Sequence, residues 1–309
     1  MHRTQIVDAG RAAWRAEVSR AGRLYRKGAR MDTTARNNDP SWAKTAPTRW
    51  NSGVPERTIV ITPTYNEREN LVEFAERVRE HVPSADILVV DDNSPDGTGQ
   101  LADEMALRQP GRFYVLHRER KMGLGRAYVA GFQWALRRGY QVIVQMDADL
   151  SHDPKHLPLM LQKLEGHSLV LGSRYLHGVN VINWDFRRLL LSKCASHYVQ
   201  AVTGMPFTDP TGGYKVWRRD ALVALNFDNL FATGYLFQVE TTFEALRRGF
   251  KIAEAPIVFY ERKAGASKMD LSIVAEAAYG VIRIASRRLR VFGGAIPALP
   301  QPASARAQQ

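Results

Sequence analysis

From residue 58 onward the chain alternates short, almost unbroken apolar runs with longer segments whose apolar residues recur at helical spacing, and few folds accommodate that alternation. Thr58-Ile-Val-Ile-Thr, Ile87-Leu-Val-Val, Phe113-Tyr-Val-Leu and Gln141-Val-Ile-Val-Gln-Met have the pattern of strands. Between them, 69–81 (apolar at Leu71, Val72, Phe74, Ala75 and Val78), 97–108 and 124–138 have the pattern of helices. Strands that are apolar at nearly every position are buried on both faces. The alternation therefore predicts right-handed βαβ units and a mostly parallel α/β sheet with helices on both sides. After 150 the rhythm loosens. A helix over 154–164, a strand over 168–171, a helix over 186–203, a Gly/Pro-rich stretch around 204–213, a helix over 235–248, a strand over 251–259 and a helix over 270–290 are expected. There is no internal repeat.

In open α/β sheets, ligands bind beyond the carboxyl ends of the strands. Three of those ends are densely polar: Pro63-Thr-Tyr-Asn-Glu67, Asp91-Asp-Asn-Ser-Pro-Asp-Gly97 and Asp147-Ala-Asp149. Tyr65 can stack on a base, Asp92 can accept from a base or ribose donor, and Glu67 can take a further hydroxyl. Asp147, Asp149 and Asp153 follow a buried strand within seven positions, QMDADLSHD, so something positive must neutralise them. An Asp-x-Asp alone is more often a solvated turn. Placed here, Asp147 and Asp149 can both reach one hard cation whose coordination substrate phosphates complete. Gly123-Leu-Gly125 lacks the third glycine and the acidic partner of a dinucleotide fingerprint, which leaves a tight strand-to-helix turn. Neither a Gly-x-Ser-x-Gly elbow nor Cys/His metal spacing occurs.

The net charge of +12 sits at the ends. Residues 1–57 carry 12 Lys/Arg against 5 Asp/Glu, residues 283–309 carry 5 Arg and no acid, and 58–282 hold 26 of each. Basic ends attract phosphate-rich surfaces, either anionic lipid or nucleic acid. Trp14, Trp42 and Trp50 would suit the latter, but no helix-turn-helix, zinc or RNA-binding motif accompanies them, so no nucleic-acid partner is expected. The expected organisation is a basic, partly disordered extension over 1–57, a catalytic domain over 58–268, an amphipathic helix over 269–290 and a disordered Pro/Ala-rich tail over 291–309. The run 273–285 is too short to span a bilayer and leads into Arg287, Arg288 and Arg290, so this helix is expected on an anionic membrane surface. A single cysteine, Cys194, fits a reducing compartment. There is no run of about 18 apolar residues, and residues 1–15 have no apolar stretch long enough for a signal peptide, so no secretory leader is expected. The expected location is the cytoplasm, peripheral to a membrane.

Between 58 and 268 the motifs resemble glycosyltransferase family 2, and within it the dolichol-phosphate (polyprenol-phosphate) mannose synthases. They are PTYNE at 63–67, VDDNSPDGT at 90–98, MDADLSHDP at 146–154, GSRY at 172–175, DPTGGYKVWRR at 209–219, GYLFQVE at 234–240 and Arg262…Ser267-Lys268. The resemblance covers about two-thirds of the chain. It implies a GT-A fold and an inverting, metal-dependent transfer of mannose from GDP-mannose to a polyprenyl (dolichyl-type) monophosphate. The alternative is UDP-glucose or another nucleotide sugar on the same fold.

Carried over residue by residue, Pro63, Tyr65, Glu67, Val90, Asp92 and Ala148 would line the nucleotide. Asp147 and Asp149 would hold Mg²⁺ or Mn²⁺ on the diphosphate, with Asp149 assisting the leaving group and Ser151 standing where the family can place a third ligand, Gln. Arg262 and Lys268 would close a lid over the diphosphate. Arg174 and Arg188 would bind the acceptor phosphate, for which a forked guanidinium is suited. His152 is expected to be a loop residue. A membrane-anchoring partner protein is compatible with the resemblance. A phosphate monoester has its second pKa near ~6 and is already anionic at neutral pH, so no dedicated base is expected. Asp209 then positions substrate, and Glu240 pairs with a neighbouring basic residue.

Overall fold

The computed structural model describes residues 57–261 and 271–291. Its first half is the expected alternation: β1 (Thr58–Thr64), α1 (Arg68–His81), β2 (Asp86–Asp91), α2 (Thr98–Arg108), β3 (Phe113–His117), α3 (Leu124–Arg137) and β4 (Val142–Gln145). A 3-10 turn at Pro154–His156 leads into α4 (Leu157–Lys163), β5 (Leu169–Ser173), β6 (Val181–Ile182) and α5 (Phe186–Thr203). Then follow β7 (Lys215–Arg218), α6 (Arg219–Ala224), α7 (Leu236–Arg247), β8 (Ile252–Pro256), β9 (Phe259–Tyr260) and α8 (Leu271–Val291).

Seven strands form one sheet in the order β3-β2-β1-β4-β7-β5-β8. All neighbours are parallel except β7, which runs antiparallel to both β4 and β5. Alternate strand residues feed two cores. Ile59, Ile61, Leu88 and Val90 pack with Tyr128 and Phe132 of α3 and Phe237 and Phe243 of α7. On the other face Val60, Ile87 and Val89 pack with Leu71, Phe74 and Val78 of α1, Leu101 and Met105 of α2, and Leu157 and Met160 of α4.

Two strand expectations change. β7 lies where only a motif was legible, because Lys215 and Arg218 bracket the apolar Val216-Trp217. Lys215 is nonetheless buried, its amine donating to the Gln238 carbonyl (2.6 Å) and to Thr241 Oγ1 (3.2 Å). The run 251–259 is two strands. β8 ends at Pro256, and β9 leaves the main sheet to pair with β6.

The turn before α3 has a packing reason for its glycines. Gly123 has φ +96°, and a Cβ there would come within 2.6 Å of the Thr233 carbonyl. That carbonyl accepts the Gly125 N–H at 2.8 Å. The start of α3 is thus fixed against the segment leading into α7.

One face of the C-terminal helix packs against the domain, while Tyr279 and Ile282 are exposed. Val281 and Ile284 of α8 are buried, and the Tyr198 hydroxyl of α5 donates to the Ala278 carbonyl (3.0 Å). Arg287, expected at the lipid headgroups, points inward instead. It pairs with Glu240 (2.8 Å) and Glu244 (3.2 Å) of α7 and donates to the Asn229 carbonyl (2.8 Å). A buried carboxylate needs a cation more than an already hydrated headgroup does. The side chains of Arg288 and Arg290, the lid residues Arg262 and Lys268, and nearly all of the two terminal extensions lie outside the described residues. Among those described, no helix is long and apolar enough to cross a membrane.

Candidate active site

The carboxyl ends of β2, β1 and β4 are neighbours in the sheet, so their polar loops meet on one edge. Each loop contains a left-handed residue: Asn66 (φ 62°), Asn93 (φ 58°) and Leu150 (φ 62°). Asparagine adopts this conformation readily, whereas a leucine does so at a cost of about 1–3 kcal/mol. The turn at Leu150 brings Ser151 back onto Asp149, whose Oδ1 accepts both the Ser151 N–H (3.1 Å) and its hydroxyl (2.6 Å). Ser151 therefore braces a carboxylate, and its expected place as a third metal ligand gains no support from this geometry.

Asp147 is held differently. Its Oδ1 accepts the Tyr128 hydroxyl at 2.7 Å, and its side chain is 34% exposed. Burial and the adjacent carboxylate raise the Tyr128 pKa, which keeps the hydroxyl a donor. The Asp147 N–H donates to His152 Nδ1 (3.2 Å), so the ring proton sits on Nε2. His152 is buried against Tyr214 (ring centroids 5.1 Å apart), and burial lowers its pKa. It is a buried, neutral residue of this loop. Among the described residues no group of three or more His, Cys, Asp or Glu forms a ready-made cage. Asp147 and Asp149 do fit Mg²⁺ or Mn²⁺, which typically takes one or two carboxylates and fills its remaining positions with water and phosphate oxygens.

At the end of β2, Asp91 organises the second loop by accepting from Thr64 Oγ1 (2.9 Å) and Ser94 Oγ (2.6 Å). Asp92 is paired with Arg118 at 2.5 Å. Burial lifts the Asp92 carboxyl above its ordinary value despite that partner. Tyr65 is half-exposed, with Lys121 Nζ 4.0 Å above its ring. Glu67 accepts from Asn70 Nδ2 (2.8 Å) at the start of α1. Pro63 and Val90 are opposite each other in β1 and β2. Val90, expected to line the nucleotide, is fully buried against Gly131 of α3 between β1 and β3 and presents no surface to a ligand in this structure. Ala148 is likewise buried.

Arg174 and Arg188 come together around Trp184. The Arg188 guanidinium lies 4.3 Å and that of Arg174 5.6 Å from its ring centroid. The Trp184 indole N–H is buried without a partner. Arg188 also donates to Glu261 Oε1 (2.8 Å). Arg174 is more committed. Its Nε and Nη2 form a fork on Asp209 at 2.6 and 2.7 Å, and Nη2 also reaches Thr211 (2.9 Å). Asp209 is fully buried, which alone would raise its pKa, but Arg174 and the surrounding donors outweigh burial and hold it below the ordinary carboxylate range. Segment 209–213 links this pair to the carboxylates. A Cβ on Gly213 would lie 3.8 Å from Asp147 Oδ2. Phe259 joins the two sides from the other flank, packing edge-on to both His152 (5.4 Å) and Trp184 (5.5 Å). Glu240 lies away from this edge, accepting the Phe231 and Ala232 N–H groups and pairing with Arg287.

Tyr128, Arg118 and Trp184 were not singled out in the sequence. Tyr128 occupies a core position of an amphipathic helix, and no local feature separates it from a packing aromatic. Arg118 could have been noticed as the polar end of the third strand.

Comparison with known proteins identifies the family. The model of glycosyl transferase family 2 matches residues 59–225. The polyprenol monophosphomannose synthase of Mycolicibacterium smegmatis is 50% identical over 227 residues, covering 73% of this chain and 86% of that protein. The undecaprenyl-phosphate mannosyltransferase of Micrococcus luteus is 48% identical over 227 residues, covering 74% and 93%. Among solved structures, glucosyl-3-phosphoglycerate synthase from Mycobacterium tuberculosis, in complex with Mn²⁺, UDP and phosphoglyceric acid, shares the fold with a TM-score of 0.56. It is 19% identical and covers 75% of this chain and 78% of its own. With carboxylates at the strand ends, paired arginines beside them and a match spanning most of the sheet, the chain belongs to glycosyltransferase family 2.

Proposed function

We propose that this protein transfers mannose from GDP-mannose to a polyprenyl (dolichyl-type) monophosphate with inversion at the anomeric carbon. The observation that carries this reading is the placement of Arg174 and Arg188 about Trp184, across segment 209–213 from Asp147 and Asp149. One side suits a phosphate monoester, the other a metal-bound diphosphate. Two mannosyltransferases named for polyprenol or undecaprenyl phosphate, each at about half identity, support it.

Tyr65, Glu67 and Asp92 would hold the nucleoside, and Asp147 and Asp149 the Mg²⁺ or Mn²⁺. When bound, such an ion neutralises charge on the departing diphosphate. An acceptor phosphate oxygen, held by Arg188 and the remaining Nη1 of Arg174, attacks the anomeric carbon from the face opposite the diphosphate. The new C–O bond forms as the old one breaks, and GDP leaves with the electron pair. No residue need remove a proton, because the attacking oxygen is already anionic.

With a lipid acceptor, the proposal extends to a peripheral position on a membrane, on its cytoplasmic face. α5 is the helix suited to that contact. It exposes Phe186, Leu190 and Leu191 beside Arg188, and apolar side chains left bare in this way mark an interaction surface. Replacing Phe186 and Leu190 together by Ser should weaken binding to anionic vesicles by about 10-fold or more, the expected loss for two apolar side chains that enter lipid. Unchanged vesicle affinity would remove α5 from the contact.

The reaction itself is tested on the acceptor. With GDP-mannose as donor, a short polyprenyl phosphate should be mannosylated, while the corresponding polyprenol and inorganic phosphate should not. Arg188→Ala should raise the KM for polyprenyl phosphate by roughly 10- to 150-fold, the range for a charge-assisted bond, and leave that for the donor nearly unchanged. Mannosylation of the free alcohol would overturn the proposal.

A further inference from the structure

Tyr128 lies outside every motif that carries the family resemblance, yet it is built into the carboxylate site. Its ring is completely buried, stacked nearly parallel to Phe237 of α7 (6.3 Å, 3°) and against Phe132 (5.9 Å). Its hydroxyl donates to Asp147 Oδ1 at 2.7 Å. We propose that Tyr128 is a positioning residue for the divalent cation. By claiming Oδ1 it turns Oδ2 outward, so that Asp147 serves as a one-oxygen ligand of fixed orientation. This rests on the reading of Asp147 and Asp149 as the cation's carboxylates.

The need for such a brace follows from the loop. Asp147 is the more exposed of the two carboxylates, and its Oδ2 is 3.9 Å from His152 Nδ1, too far for a hydrogen bond. Without a partner on Oδ1, the side chain would be free to rotate. Tyr128 cannot drift with the loop, because it belongs to the helix layer. The first turn of α3 is tied to Thr233 by the Gly125 N–H, and the ring is clamped by Phe237. The orientation of Asp147 is therefore set by α3 and α7 as well as by β4. Groups that orient metal ligands in this way typically change metal affinity by about 10- to 100-fold when removed.

Tyr128→Phe tests the inference, since it deletes one oxygen and keeps the stacked ring. Mn²⁺ binding to the whole protein is measured by the loss of the free Mn²⁺ electron paramagnetic resonance signal, with and without GDP, alongside the thermal midpoint in EDTA. The expected result is a Mn²⁺ Kd raised about 10- to 100-fold, a midpoint close to wild type, and a raised KM for Mn²⁺ with kcat largely recovered at saturating metal. If Tyr128→Phe binds Mn²⁺ like wild type while Asp149→Asn does not bind it, the inference is overturned and the metal reading stands. A midpoint that falls in step with Mn²⁺ affinity would also overturn it, in favour of simple packing. If Asp149→Asn itself binds Mn²⁺ normally, the metal reading fails, and the inference with it.

Discussion

Asp149→Asn should lower transfer by roughly 10³-fold or more while the fold is retained. A bound cation contributes several kcal/mol to stabilising the leaving diphosphate, and each ~1.4 kcal/mol is a factor of ten in rate. The substitution removes one of the two charges that hold it. It also disturbs the local geometry, because Asp149 Oδ1 accepts two donors from Ser151, and an amide nitrogen turned to that side would face them both. Asp147→Asn should be nearly as damaging, since its amide oxygen can still accept from Tyr128 but presents –NH₂ where the cation needs oxygen. Single-turnover transfer at saturating Mn²⁺, with circular dichroism to establish the fold, checks both. Unimpaired turnover in either variant would remove that carboxylate from the site.

The second large effect is on stability. Asp209→Ala leaves the buried Arg174 guanidinium without its countercharge, with Thr211 as its remaining hydrogen-bond partner, and losing one partner of a buried pair typically costs about 3–5 kcal/mol. For a domain of this size that lowers the thermal midpoint by roughly 6–20 °C. The pair also has a signature in pH. Asp209 has a folded-state pKa below its unfolded value of about 3.9. Its contribution to stability is therefore complete above that value and is lost as pH falls through the folded-state pKa. Wild type should lose stability on acidification below about pH 4 in excess of Asp209→Asn, which has no such group. A carboxylate held ionised in a fork with arginine is also poorly suited to take a proton. The acid limb of kcat/KM should follow the acceptor phosphate, near ~6, in wild type, Asp209→Asn and Glu240→Gln alike. Loss of that limb in Asp209→Asn, with rescue by a small carboxylate, would make Asp209 a general base.

What could be read in the sequence divides along physical lines. β1 to β4 and the loops behind them were legible because a strand buried on both faces leaves an unbroken apolar run, and because carboxylates seldom crowd such an end without a ligand. β7 was hidden by Lys215, a charged residue whose burial becomes tolerable only when α7 offers the Gln238 carbonyl and Thr241. Arg287 was misplaced for the same reason. In the sequence it belongs to a basic run, and its partners Glu240 and Glu244 are more than forty residues away. Arg174 and Asp209 were each singled out, but their fork with one another depends on β5 and the 209–213 turn meeting in space. Tyr128 could not have been found by periodicity, since its ring does what a core aromatic does and only its hydroxyl is distinctive.

The central claim is the identity of donor and product, and one assay addresses both. The full chain is offered radiolabelled GDP-mannose, GDP-glucose and UDP-glucose in parallel, with a short polyprenyl phosphate and Mn²⁺, and the lipid-extracted product is identified by mass and by anomeric configuration. Labelled β-mannosyl phosphoryl polyprenol from GDP-mannose, with little product from the other two donors, is the expected outcome. Efficient transfer from UDP-glucose in preference to GDP-mannose, or a product that retains the donor's α configuration, would contradict it.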